Sequence, residues 1–328
     1  ALTVAAYAPF SLADHAPIWF AITAFAAFVA ATQDIFVDAL AVRMLEPKDL
    51  GLGNVAQVAG YRLGMLGGGA GLLLVSTALG EPATLLACGG FVALAGLGAF
   101  TLRVHERADV DDAPRADVGA EKNRLELAAL AKHMVAPGVW PALALALTYK
   151  LGLHAASAVL KPMVVDAGWT KAQIGWAVVT IGTVSALAGA AVGGLVHRVM
   201  REPRALAVGG VFQALVCVPL FAAAELGAPR ALTTLSIAVE HFASGLGTTV
   251  LFAALMSATR RSNAGLHYTA LTSANAIAIG AGSLAGGALG DALGKPAVFV
   301  IAFAVSLAPL VLVRGWDEAA RASAGAAS

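Results

Sequence analysis

Long apolar runs separated by short polar punctuation fill most of the 328 residues. A helix that crosses a bilayer needs about 20 predominantly apolar residues. Cutting the chain at its polar, Pro and Gly breaks predicts ten spans, over 1–12, 18–41, 55–79, 83–102, 139–160, 172–196, 205–226, 232–258, 264–288 and 296–313. The first is read as the remainder of a longer helix. One polar stretch interrupts the series: residues 103–133 carry Asp109, Asp111, Asp112 and Asp117 among Arg107, Arg115, Lys122 and Arg124. Such a charge run reads as a linker whose second part is a surface helix. The expected organisation is an incomplete membrane half over 1–103, a linker over 104–133, a second half of six helices over 134–316 and a short tail over 317–328.

Composition makes the same case. Hydrophobic residues are 59% of the chain and charged residues 12%, against roughly 25% charged in a soluble domain, and mean hydropathy is +0.80. The fold class is therefore an all-α polytopic membrane protein, with the lipid bilayer as its first partner. A net charge of +1 leaves no footprint for nucleic acid. Cys88 and Cys217 lie in separate apolar spans and suggest neither a disulfide nor a metal site. No cofactor or metal is expected, and no catalytic residues, because no nucleophile-and-base set shares one depth. The opening run from Ala1 lacks a basic leader, so a truncated membrane helix is expected there and not a signal peptide.

Lys and Arg are retained on the cytoplasmic side of a membrane. One alternate set of connections carries Arg43 and Lys48, then 103–132, then Arg198, Arg201 and Arg204, then Arg260 and Arg261, then Arg314 and Arg321; the other carries only Lys161, Lys171, Arg230 and Lys295. The first set is expected to be cytoplasmic, with the C-terminus inside.

Charges within spans are expensive, and they usually mark a substrate or ion path. Asp34 and Asp38 are four apart, hence on one helix face. Asp34 lies about as far before the turn at Pro47 and Lys48 as Arg62 lies after it, so the two share a depth. Arg62 is expected to pair with Asp34 or Asp38. Lys150 and Glu240 fall near the middle of their spans, and a second pairing is expected there. Three carboxylates against two cations leave one carboxylate to carry a proton. The competing reading is structural, since a buried ion pair can simply lock two helices together. His154, one turn after Lys150, and His241, next to Glu240, are either proton relays or hydrogen-bonded core residues, and the same holds for His267 and Tyr268.

Gly60, Gly64 and Gly68 repeat every fourth residue, as do Gly67 and Gly71, a spacing that permits close helix approach. Six spans following a linker, with about two missing from the front of the first half, resemble the twelve-helix major facilitator superfamily, whose halves rock about a central site. The run G-L-V-H-R-V-M-R from Gly194 to Arg201 resembles the basic loop of that superfamily, with Arg198 and Arg201 in gating positions. It has His197 where the superfamily has an acidic residue.

Three blocks carry a sharper resemblance: T-Q-D-I-F-V-D-A from Thr32, E-P-K-D-L-G-L-G from Glu46 and G-Y-R-L-G-M-L from Gly60. With Y-K-L-G from Tyr149, R-A-L-A-V-G-G-V-F-Q from Arg204 and E-H-F-A-S-G-L-G-T from Glu240, they resemble the AmpG-type muropeptide permeases and the related acetyl-coenzyme A transporters. The resemblance implies proton-driven import of anhydro-muropeptides across a bacterial inner membrane, by a chain expected to be monomeric. Under that reading Gln33, Arg62, Tyr149, Lys150, His154, His241 and Tyr268 would contact the solute, with Lys150 its anchor. Asp34, Asp38 and Glu240 would couple protons. The chain departs from the family pattern at Leu153 and His154, at His241 and at His267, so another anionic solute, or a partner or sensor that does not transport, stays open.

Overall fold

The computed structural model describes residues 16–65, 139–259 and 264–313, with isolated positions between 80 and 97 and Trp316. The expected remnant over 1–12, the greater part of 66–102, the linker and Gly68 lie outside the described residues. Helix α1 (Ala16–Met44) is followed by a 3-10 turn at Pro47–Asp49 and by α2 (Leu50–Met65). All six spans predicted after the linker are present. Among the described residues, six helical runs are long and apolar enough to cross a membrane: Trp140–Asp166, Ala172–Val199, Glu202–Glu225, Arg230–Ser257, Ala264–Leu293 and Lys295–Val313. No strand occurs among the described residues.

Three of these runs are discontinuous. The first is α3 (Trp140–Thr148) and α4 (Leu151–Asp166), with the break at Tyr149 and Lys150. The second begins as α5 (Lys171–Ile174), widens to a π-helix over Gly175–Ile181, and continues as α6 (Gly182–Val199). The third is α7 (Glu202–Leu215) and α8 (Cys217–Glu225), joined at Val216. Helices α9 (Arg230–Ser257), α10 (Ala264–Leu293) and α11 (Lys295–Leu307) complete the set. Helix starts follow local rules. Prolines occupy the first turns of α3, α7 and α11, where the missing N–H has no intrahelical partner to lose. Thr170 and Gln173 exchange side-chain-to-backbone hydrogen bonds ahead of α5, a capping box. Gly294, with φ +84°, turns the chain from α10 into α11.

Between apolar helices in lipid, close packing and not water exclusion holds the assembly together, so small residues mark the seams. One seam joins α10 to α4. Cβ atoms added at Gly282 and Gly286 would lie 2.6 and 2.3 Å from the carbonyl oxygens of Leu151 and Ala155, and one at Gly290 would lie 2.7 Å from Val159. The other joins α6 to α9. A Cβ at Gly189 would lie 2.0 Å from the Phe242 carbonyl and one at Gly193 2.9 Å from that of Leu246, while from the opposite helix one at Gly245 would lie 2.1 Å from the Ala186 carbonyl. At Gly60 and Gly64 an added Cβ meets nothing within 4 Å among the described residues.

The chain divides into two compact units, residues 1–44 with 60–113, and residues 45–59 with 114–328. The turn after α1 and the first turns of α2 thus belong with the larger unit. Close contact explains it. Gly51 lies so near α6 that a Cβ there would be 3.0 Å from His197 and 3.1 Å from the Gly194 carbonyl, and Asn54, fully buried, points its amide at Met256 Sδ, 3.4 Å away.

Candidate functional site

The two charged residues that hydropathy singled out in the larger unit engage each other's helices. Lys150, only 2% exposed, sits at the break between α3 and α4. Its Nζ donates to the Ser244 carbonyl at 3.1 Å and to Thr248 Oγ1 at 2.9 Å on α9. Glu240, on α9 and 4% exposed, accepts a hydrogen bond from the Ser157 hydroxyl on α4. Its other oxygen, Oε2, is 2.6 Å from His241 Nδ1. His154 lies within electrostatic reach of both Lys150 and Glu240. The cluster thus spans two helices, is charged at both ends, and is placed beside a helix break, the kind of discontinuity that builds solute and ion sites in transporters.

The remaining expected site residues divide. Tyr149 turns the other way from Lys150. It is 1% exposed and donates to the Leu206 carbonyl on α7 at 2.6 Å, so the structure gives it a helix-packing role where solute contact was expected. We expect Tyr149→Phe to remove this hydrogen bond at a cost of about 0.5–1.5 kcal/mol, seen as a lower thermal stability of the purified protein with an unchanged KM for solute. Tyr268 is buried four residues into α10; taking 1.5 Å per residue, it lies roughly 20 Å in depth from Glu240, outside the cluster. Gln33 and Asp34 are exposed on α1, while Asp38 and Arg62 are part-buried. Among the described residues no ion pair joins Asp34 to Arg62.

At the basic end, Gly194 packs on Val55 and Gly51, and His197 is buried against Gly51 with both ring nitrogens lacking a hydrogen-bond partner among the described residues. Its Nε2 is 4.0 Å from Glu202 Oε1. Arg198 is exposed and close enough to Lys48 to repel it electrostatically. Lys48 pairs with Glu46 at 2.9 Å, and that hydrogen bond and charge raise its pKa from the ordinary 10.5. The contribution that depends on the lysine's charge is therefore present below pH 10.5 and is lost as pH rises beyond that. A cavity of about 430 Å³ lined by Met163, Asp166, Ala228 and Lys295 lies at the opposite end, where Lys295 and Asp166 form an ion pair; none of the expected site residues lines it.

Sequence reasoning passed over Ser157, Ser244 and Thr248. A single hydroxyl or a backbone carbonyl in an apolar helix carries no signal by itself. Ser157 is, however, seven residues after Lys150, two turns on, and that spacing would have placed it on the same face.

The Major Facilitator Superfamily model matches residues 1–224 and 138–327. The chain belongs to this family. Among curated relatives of this facilitator, a protein of Rickettsia conorii named as transporter AmpG 4 is 23% identical over 295 residues, covering 87% of this chain and 69% of its own length. Its counterpart in Rickettsia felis is likewise 23% identical, over 299 residues. The anhydromuropeptide permease of Escherichia coli K12 is 26% identical over 260 residues, 76% of this chain and 50% of the permease. This facilitator is accordingly a membrane transporter of small solutes and not an enzyme, and the expected all-α multi-pass architecture holds.

Proposed function

We propose that the protein is a proton-coupled importer of anhydro-muropeptides, or of closely related amino-sugar peptides, working by alternating access in a bacterial inner membrane with its C-terminus in the cytoplasm. One observation carries the reading: Lys150 and Glu240, both buried at mid-span, reach reciprocally across α4 and α9 beside the break at Tyr149 and Lys150. Lys150 is a fixed cation suited to a solute carboxylate. Glu240 is the proton-coupling group, with Asp34 and Asp38 as the alternative sites, and the names of the relatives supply the solute class.

The test is uptake of a labelled anhydro-muropeptide into vesicles containing the full-length protein. Uptake is expected to concentrate the solute under an inward proton gradient and to collapse with a protonophore. Glu240→Gln is expected to abolish accumulation while sparing solute exchange. If Glu240→Gln still concentrates solute against a gradient, coupling moves to Asp34 and Asp38. If the wild-type protein transports only a different anion, the solute assignment falls, and a complete lack of transport would instead support a partner role.

A further inference from the structure

We propose that Glu240 and His241 hold the transported proton jointly, as one pair, and that Gly182 is the positioning residue that sets the imidazole for it. The inference rests on the proton-coupling reading above and adds to it a second proton-bearing residue and the helix that aligns it.

The geometry of His241 fixes its roles. Its Nδ1 has two neighbours, the Ile237 carbonyl at 3.0 Å and Glu240 Oε2 at 2.6 Å. Both are acceptors, so Nδ1 carries a hydrogen and points it at the carboxylate. The nitrogen that gains or loses a proton is then Nε2, at the far side of the ring. That side faces α6 at Gly182, where an added Cβ would stand 2.6 Å from Cδ2 and 2.7 Å from Nε2. Any side chain at 182 would push the ring off its place and off the carboxylate. The absence of one is what lets the ring lie against the helix.

Local backbone supports the same reading. Gly182 directly follows the π-helix over Gly175–Ile181. Wider turns of this kind are uncommon and recur at functional sites. Exposure is graded across the pair, with the His241 side chain 16% exposed and that of Glu240 6%, so the imidazole is the more accessible of the two. Loading adds one proton, giving either imidazolium with carboxylate or neutral imidazole with carboxylic acid, and release returns the neutral ring and the carboxylate. The net charge of the pair changes by one in either description, and the two groups titrate as a unit. Among the described residues, Ser157 and His154 on α4 and Cys217 on α8 also face the pair; α6 presents Gly182.

The test uses pH-dependent infrared difference spectra of the purified full-length protein, with the carboxyl band that disappears in Glu240→Gln taken as the Glu240 signal. His241→Asn is expected to move the midpoint of that band by about one pH unit or more, the scale of a contact ionic interaction. Gly182→Ala, which leaves both titrating residues in place, is expected to move it as well. Tyr149→Phe is expected to leave it where it is. A midpoint unmoved in His241→Asn overturns the pair. A midpoint moved in His241→Asn but not in Gly182→Ala overturns the positioning role. In vesicles, His241→Asn is expected to lose accumulation and keep exchange, whereas accumulation at the wild-type level leaves Glu240 to act alone. Accumulation retained by Glu240→Gln overturns the coupling reading instead, and the infrared result still decides whether the two groups titrate together.

Discussion

Gly189→Leu is expected to leave no correctly folded transporter in the membrane. The smallest possible side chain at this position already places a carbon 2.0 Å from the Phe242 carbonyl oxygen, and that atom is backbone, unable to rotate aside. Leucine adds three further carbons in the same place. Helices α6 and α9 would have to separate along their whole contact, which also runs through Gly193 and Gly245. Overpacking a well-fitted interface costs about 1–3 kcal/mol for a tolerated change, and this one exceeds that range. Yield of monodisperse protein after extraction, and resistance to a protease, measure the effect. Gly60→Leu, at a site with no neighbour within 4 Å among the described residues, is the matched control and is expected to fold. Normal yield of Gly189→Leu would mean that the seam does not carry the fold.

Lys150→Met is expected to give the opposite outcome, a folded protein that binds solute poorly. The groups on α9 that Lys150 donates to, the Ser244 carbonyl and the Thr248 hydroxyl, are neutral. Thr248 Oγ1 already donates to the Ser244 carbonyl at 2.7 Å, so both groups keep a hydrogen bond when the ammonium is gone. Methionine matches the length of the lost aliphatic stem and fills the space. What disappears is the fixed positive charge. A charged hydrogen bond to an anionic solute contributes about 1.5–3 kcal/mol, so KM for a labelled anhydro-muropeptide is expected to rise about 10- to 100-fold while the protein still folds. An unchanged KM alongside a large loss of stability would make Lys150 a helix-locking residue and remove it from the solute site.

The six spans of the larger unit were legible because each is a single long apolar run with no competing period, and the buried charges were legible because so few exist. Direction was not. Lys150 and Tyr149 are adjacent and equally buried, yet one faces α9 and the other α7, a difference set by the helix break between α3 and α4 that hydropathy does not register. The glycine seams show a different limit. A fourfold glycine spacing is present at Gly60, Gly64 and Gly68 and again at Gly282, Gly286 and Gly290. Only the partner helix decides which of them is a seam, and Leu151, Ala155 and Val159 supply that partner for the second set. Gly182 was invisible for the same reason, since its meaning lies in a histidine far along the chain.

The capture of residues 45–59 by the larger unit bears on how such a transporter can be divided. The polar linker looks like the natural place to split the gene into two half-proteins. A split there would leave Gly51, Asn54 and Val55 on the first product, and with them the surface that covers Gly194, His197 and Met256 on the second. The second product would emerge from the ribosome with an unclosed end, so for this chain gene fission at the linker would make the pieces obligate companions in folding as well as in transport.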